Sequence, residues 1–312
     1  MTTTALPTLT AKTPEDVLAA VPLVLGFVPE DSVVMLTSGA AHPFHARLDL
    51  PLTAARCRDA AESLIGPARR HGVERVLFVL YAGDARVARA CARALVRRFR
   101  RGGVEVTDVL RSTGGRWFPL SLDGSEPDGP GTPYDVRGHL FTAQAVAAGR
   151  VTRASRGELA ATVAADPARR ESMAAAVPVA RASGAADDPV SWLPELVARL
   201  VEQGSVPDPP TTARLLVAIA EPAGRDVAMA DLTRDSAERW LPLFSALVRA
   251  APRELVAPAG SVLGFLAWLS GDGALAWCAL DRAAEGDPPC TLATAVADAL
   301  ELALPPDVWV RR

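Results

Sequence analysis

Three short runs of β-branched and aromatic residues, SVVMLT (32–37), RVLFVLYA (75–82) and VEVTDVLRS (104–112), punctuate the first third of the chain. Segments of helical period stand between them. Residues 53–71 form one, stopped by Gly72, and residues 84–101 form another, with Val87, Cys91, Leu95 and Phe99 on a single stripe. Apolar runs of this length suit strands buried on both faces, and strand–helix–strand repetition favours parallel pairing through crossovers. Hairpin signals modify that pattern. In PFHARLDLP (43–51), Phe44, Ala46, Leu48 and Leu50 face one way while His45, Arg47 and Asp49 face the other. VEVTDVLRS leads into RWFPLSL (116–122) through Gly114-Gly115, a hairpin turn. The expected N-terminal fold is α/β with a mixed sheet.

Before the first strand, Thr13 is an N-cap candidate, Pro14 suits the first helical position and Gly26 suits the stop, with a disturbance expected near Val21 at Pro22. After residue 122 the composition changes. DGSEPDGPGTPYD (123–135) is dense in Pro, Gly and Asp and reads as a linker or long loop. Beyond it nearly everything has helical period. Asp166-Pro167 and Asp188-Pro189 read as cap-plus-proline helix starts, and PDPP after Gly204 separates two further helices, the second expected from Thr211 or Thr212. The expected organisation is a mixed α/β domain over 1–135 and an α-helical domain over 136–312.

Composition excludes some classes. With 49% hydrophobic residues and a net charge of −3, the 312 residues fit a globular protein that buries a sizeable core. Charge is uneven: residues 1–122 hold 16 Lys and Arg against 11 Asp and Glu, and the remainder 17 against 25. A single lysine, Lys12, among abundant arginine and alanine reflects a GC-rich genome. Cys57, Cys91, Cys278 and Cys290 lack metal-ligand spacing and read as reduced thiols of a cytosolic protein. The N-terminus lacks a signal-peptide pattern, and Pro, Gly or charge breaks every apolar stretch, so no membrane span is expected.

Common catalytic signatures are absent: no glycine loop precedes a lysine, and there is no G-x-G-x-x-G after a strand, no H-E-x-x-H, no paired C-x-x-C and no G-x-S-x-G. No cofactor or metal is expected. One candidate ligand-binding site remains, formed by Asp31 and Ser32 at the loop-to-strand corner with His45, Arg47 and Asp49 on the polar face of the neighbouring strand. Successive residues of that face lie about 6.5–7 Å apart, and the side chains are types that do nucleophilic or acid–base work. The competing reading is a structural strand face, with Arg47 partly covered and held by a carboxylate. Arg86, Arg89, Arg93, Arg97 and Arg100 form a basic stripe along the helix of residues 84–101. No aromatic residues interleave to stack bases, which argues against nucleic acid.

Near the C-terminus, Gly264, Gly271, Ala276, Leu280, Ala283 and Pro288 fall at the spacings of a tetratricopeptide-like helical hairpin, although Gly260 and Ala267 stand where that pattern expects Trp and Tyr. PEDVLAAVPLVLGFVPEDSVVML, ARLDLP, AVAAGRVTRASRGELAA and LAWLSGDGALAWCALDRA together resemble domain-of-unknown-function family 4192 of GC-rich bacteria. The resemblance implies that both halves belong to one recurring unit. It carries no catalytic roles over, and makes Gly26, Pro29, Ser32, Arg47 and Asp49 family-pattern residues. Two functional readings follow: a non-catalytic cytosolic protein binding a protein partner through its helical half, or a small-ligand-binding domain or enzyme using Ser32, His45, Arg47 and Asp49. Oligomeric state is left open.

Overall fold

The computed structural model describes residues 10–40, 44–184, 188–230 and 232–309. Two compact units divide the chain, the first ending at Arg156 and the second beginning at Gly157.

The first unit is built on a six-stranded mixed sheet in the order β2-β1-β3-β4-β5-β6. Its strands are β1 (Ser32–Ser38), β2 (His45–Asp49), β3 (Arg75–Tyr81), β4 (Glu105–Thr113), β5 (Arg116–Leu120) and the short β6 (Thr132–Pro133). Among these strands only β3 and β4 pair in parallel; β1 is antiparallel to both its neighbours. Helices α2 (Ala54–Arg70) and α3 (Ala85–Arg101) cover one sheet face. Their Cys57, Leu64, Ile65, Cys91, Leu95 and Phe99 pack with Val33, Met35, Phe78, Leu80 and Val109 of the strands. The inward residues of β2 join this core, as their alternation requires. Gly114 and Gly115, at φ 55° and 70°, make the two-residue turn between β4 and β5, where both positions need positive φ.

Helix α1 (Pro14–Leu25) starts on a Thr13–Asp16 capping box and ends at Gly26, which has φ 75°. It runs unbroken through Pro22, so the expected disturbance near Val21 does not interrupt it. Trp117 Nε1 donates to Glu15 Oε1 at 2.8 Å, tying α1 to the sheet. Helix α4 (Leu140–Ala147) packs on α1 through Phe141 and Ala145 against Ala19 and Leu23, so the first unit continues past residue 135.

Residues 123–135 are not a free linker. Glu126 lies under the loop, where its carboxylate accepts from Arg111 Nε at 2.8 Å and Nη2 at 2.6 Å, with both side chains under 10% exposed. Arg111 also donates to the Ala82 carbonyl at 3.3 Å and lies over the Phe118 ring at 4.0 Å. Thr132 and Pro133 add the sixth strand, and Arg116 donates to the Pro130 and Gly131 carbonyls. A bidentate buried pair satisfies both ions, and removing one partner strands the other.

The second unit is helical: α5 (Arg156–Ala161), α6 (Pro167–Gly184), α7 (Pro189–Gln203), α8 (Pro209–Ala220), α9 (Pro222–Met229), α10 (Arg234–Ala250), α11 (Arg253–Ser270), α12 (Gly273–Ala283) and α13 (Thr291–Glu301). Asp188 caps α7, and Asp208, rather than Thr211 or Thr212, caps α8, because proline at the first helical position lets the helix begin earlier. At the centre lies α11, buried continuously from Leu255 to Leu269. It packs against α8, α10, α12 and α13. Gly271, at φ 89°, ends α11, and the chain returns as α12. A Cβ on Gly260 would stand 2.9 Å from the Ala279 carbonyl oxygen and the Ala283 Cβ, so glycine sets how closely this helical hairpin closes.

Three substitutions test this packing. Glu126→Ala is expected to cost about 3–5 kcal/mol in chemical denaturation, because Arg111 is left as an uncompensated buried charge; a loss below about 1 kcal/mol would show that the pair behaves as a surface one. Gly260→Val is expected to cost about 1–3 kcal/mol or more through overpacking. Gly66→Ala, on an open face of α2, should instead stabilise by up to about 1 kcal/mol.

Candidate functional site

The corner before β1 is shaped by Asp31, which has φ 38°, an uncommon conformation for a residue with a side chain. Its carbonyl accepts from the Leu50 amide at 2.7 Å, extending the pairing of β1 with β2 by one bond. Ser32 then enters the sheet fully buried. Its hydroxyl donates to the Glu30 carbonyl and accepts from Arg47 Nε at 2.8 Å. The Arg47 side chain, 19% exposed, reaches Asp49 Oδ1 at 2.5 Å through Nη1, while the Asp49 side chain is 88% exposed.

Three of the five candidate residues therefore meet: Ser32, Arg47 and Asp49. Asp31 contributes its backbone to the corner. His45 stands two pairs further along, opposite Leu36, and belongs to the hairpin end of the strands. Its Nδ1 accepts from the Thr37 amide at 3.4 Å, and desolvation of the ring holds its pKa below the ordinary value even though the residue keeps an exposed edge.

The sheet register adds residues that sequence reasoning missed. Asp49 lies opposite Ser32, Ser32 opposite Tyr81, Tyr81 beside Ser112, Ser112 opposite Trp117 and Trp117 opposite Thr132. One lateral row of polar or polar-tipped residues thus crosses all six strands at the C-terminal ends of the parallel pair. Ser112 Oγ and the Tyr134 hydroxyl lie 2.7 Å apart, and Trp117 holds Glu15. Tyr81 is 8% exposed, and burial beside Tyr134 pushes its phenol well above the ordinary range, so it stays protonated. The only signal in the sequence was a tyrosine closing an apolar run; strand order had to be known before the row became visible.

Chemically, the corner is internally satisfied. The Ser32 hydroxyl has spent its proton on a carbonyl and receives one from an arginine, and Arg47 is a donor with no base character. Nucleophilic attack needs a neighbouring base, and neither contact of Ser32 Oγ is one. Cys57 and Cys91 face each other inside the sheet–helix core, where burial pushes both thiols up and away from the reactive thiolate. Among the described residues, no group of three His, Cys, Asp or Glu side chains is placed to hold a metal ion, and no helix is long and apolar enough to cross a membrane.

The family model described as "Domain of unknown function (DUF4192)" matches residues 14–307. The chain belongs to this family. The match runs through both compact units, so the sheet unit and the helical unit are parts of one family pattern. No curated protein and no solved structure matches the chain.

The polar corner predicts an asymmetry within one ion pair. Arg47→Ala is expected to cost about 1–3 kcal/mol, because the buried Ser32 oxygen loses its donor. Asp49→Ala should cost at most about 1 kcal/mol, since its carboxylate stands in solvent. Equal losses in thermal or urea denaturation would mean that the ion pair, and not the Arg47–Ser32 bond, holds the corner.

Proposed function

We propose that this family member is a non-catalytic cytosolic protein that binds a protein partner through its helical half. The observation that carries the reading is apolar surface in the last helices. Trp277 on α12 is 36% exposed, and Leu302, Val308 and Trp309 after α13 are 41%, 52% and 40% exposed. Trp309 stands edge-on to Phe265 of α11 at 4.7 Å, and Trp268 donates to the Leu304 carbonyl at 3.0 Å, so the segment after α13 rests on the buried central helix. Exposed tryptophans on a rigid support are the residues that carry binding energy at protein interfaces. The close α11–α12 hairpin, of the tetratricopeptide-like kind by its spacing, supplies that support.

A second reading rests on the lateral row. Ligands of open α/β sheets sit outside the C-terminal ends of parallel strands, where Tyr81 and Ser112 stand. On that reading Ser32, His45, Arg47 and Asp49 belong to a small-ligand-binding domain or an enzyme. The Ser32 hydrogen bonds weigh against the enzyme form.

Affinity capture from native lysate separates the two. Trp277→Gln and Leu302→Gln should keep the fold, each at a cost of about 1–2 kcal/mol for the part of the side chain that is buried, and yet lose a co-purifying protein that the wild-type chain retains. Retention of the same protein by both variants would remove the helical surface from the interaction. Capture of a small molecule that Ser32→Ala releases would establish the second reading instead.

A further inference from the structure

A different surface, on the sheet unit, carries charge without compensation. Helix α3 turns Arg86, Arg89, Arg93, Arg97 and Arg100 along one face, and among the described residues none of the five forms an ion pair. Their neighbour Arg98 shows the alternative: it reaches round to Glu62 at 2.6 Å. The stripe is not uniform. Arg86, Arg89 and Arg93 line an open groove whose other wall is the loop Asp123–Gly124–Ser125, whereas Arg97 and Arg100 lie beyond it.

That wall is built. Gly124 is buried at φ 81°, and a Cβ there would stand 2.3 Å from Arg93 Cγ and 2.9 Å from the Arg89 carbonyl, so the loop backbone lies directly on α3. The loop is closed by Gly124 N to the Ser121 carbonyl at 2.7 Å and Ser121 N to the Ser125 carbonyl at 2.8 Å. The next residue, Glu126, anchors it to Arg111 under the loop. Asp123 turns its carboxylate to the Ser125 amide at 2.8 Å, and the nearby Arg93 adds to the effects that hold its pKa down. Arg93 is thereby partly balanced, but Arg86 and Arg89 are not.

Position makes the imbalance sharper. Asp84 caps α3, Arg86 lies in its first turn and Arg89 in the next. The N-terminal end of a helix carries partial positive charge, so cations are disfavoured there. The Asp84 carboxylate already takes the Arg86 amide at 2.7 Å, so what remains for an anion is the pair of unpaired guanidiniums beside a fixed backbone wall. We propose that the groove between α3 and residues 123–125 binds a phosphate group, with Arg86 and Arg89 as its ligands. Guanidinium forks match phosphate oxygens in pairs, and a doubly charged group answers two unpaired cations better than a single carboxylate does. The same phosphate chemistry can come from an inorganic polyphosphate, a nucleotide or a nucleic-acid backbone. No aromatic side chain faces outward beside these arginines on α3 to stack a base, which favours a compact phosphate over a nucleic-acid strand.

The test uses the full chain in calorimetric titrations at physiological salt, with inorganic tripolyphosphate, ATP and a short DNA duplex as separate probes. Arg86→Gln/Arg89→Gln is compared with Arg97→Gln/Arg100→Gln, which removes equal charge from the same helix face outside the groove. The expected result is tripolyphosphate binding that weakens by about tenfold or more in the first pair and by less than about twofold in the second. ATP binding with the same dependence would name a nucleotide as the source. The first pair should melt at or above wild type, since it removes cations from the N-terminal turns of α3, and the second slightly below, since Arg100 lies in the last turn, where a cation is favoured. Two outcomes overturn the proposal: no binding of any probe, or equal weakening by the two pairs. DNA binding with a log–log salt slope of magnitude about 4–5, lost equally in both pairs, would likewise replace the groove with a diffuse polyanion surface.

Discussion

Ser32 is where the sheet acquires its register. A hydroxyl buried at the first residue of β1 must find partners, and it finds the Glu30 carbonyl behind it and Arg47 across it. The first bond fixes the corner in which Asp31 takes its positive φ; the second fixes which residue of β2 stands where. A slip of one residue would carry Arg47 to the apolar side and Ala46 and Leu48 away from the helices, so the polar bond and the apolar core select the same pairing. Because β1 lies between β2 and β3, its placement also puts Ser32 opposite Tyr81, and the rest of the lateral row follows through the strands beyond.

The far side of the sheet is secured differently. There the chain leaves regular structure at Leu120 and returns only for the two residues of β6. What closes the gap is Arg111, whose guanidinium is held by Glu126 on two nitrogens and by the Ala82 carbonyl on the third, over the face of Phe118. A lysine would meet one of these geometries and miss the fork. The residues that looked like a tether between domains are thus a wall of the first unit, and the same loop bounds the groove on α3.

Much of this fold was legible because its signals are local. Thr13 and Asp188 cap helices where short polar side chains precede a periodic segment, and Gly114-Gly115 turns a hairpin that few other pairs would turn as easily. What escaped was non-local. Glu126 reads as one acid in a stretch of Pro, Gly and Asp until Arg111, fifteen residues earlier, is known to be buried beside it. Pro22 reads as a breaker because the missing N–H is visible in the sequence and the compensating burial of α1 is not. At the candidate site, alternation placed His45, Arg47 and Asp49 on one face, which holds, but spacing along a strand cannot say which of them reaches the neighbouring strand's serine. The strand pairing decides that, and it selects Arg47.

Arginine therefore has three distinct fates in one sheet unit, and composition alone does not separate them. Arg111 is enclosed and fully paired, Arg47 is half enclosed between a buried hydroxyl and an exposed carboxylate, and Arg86 and Arg89 stand unpaired at the positive end of a helix. The residue type is the same in all three; what differs is location. Enclosing Arg111 closes a loop, and tilting Arg47 onto Ser32 sets a register; both are repaid within the fold. Arg86 and Arg89 stand near the N-terminal end of their own helix, where only the Asp84 cap offsets the positive end and, among the described residues, neither guanidinium has an ion-pair partner. Unlike Arg97 and Arg100, which share the same face further along, they line a groove whose wall the fold has taken care to build, through Gly124 and the Glu126 anchor. That coincidence of unpaired charge with a built wall is what a bound phosphate would account for.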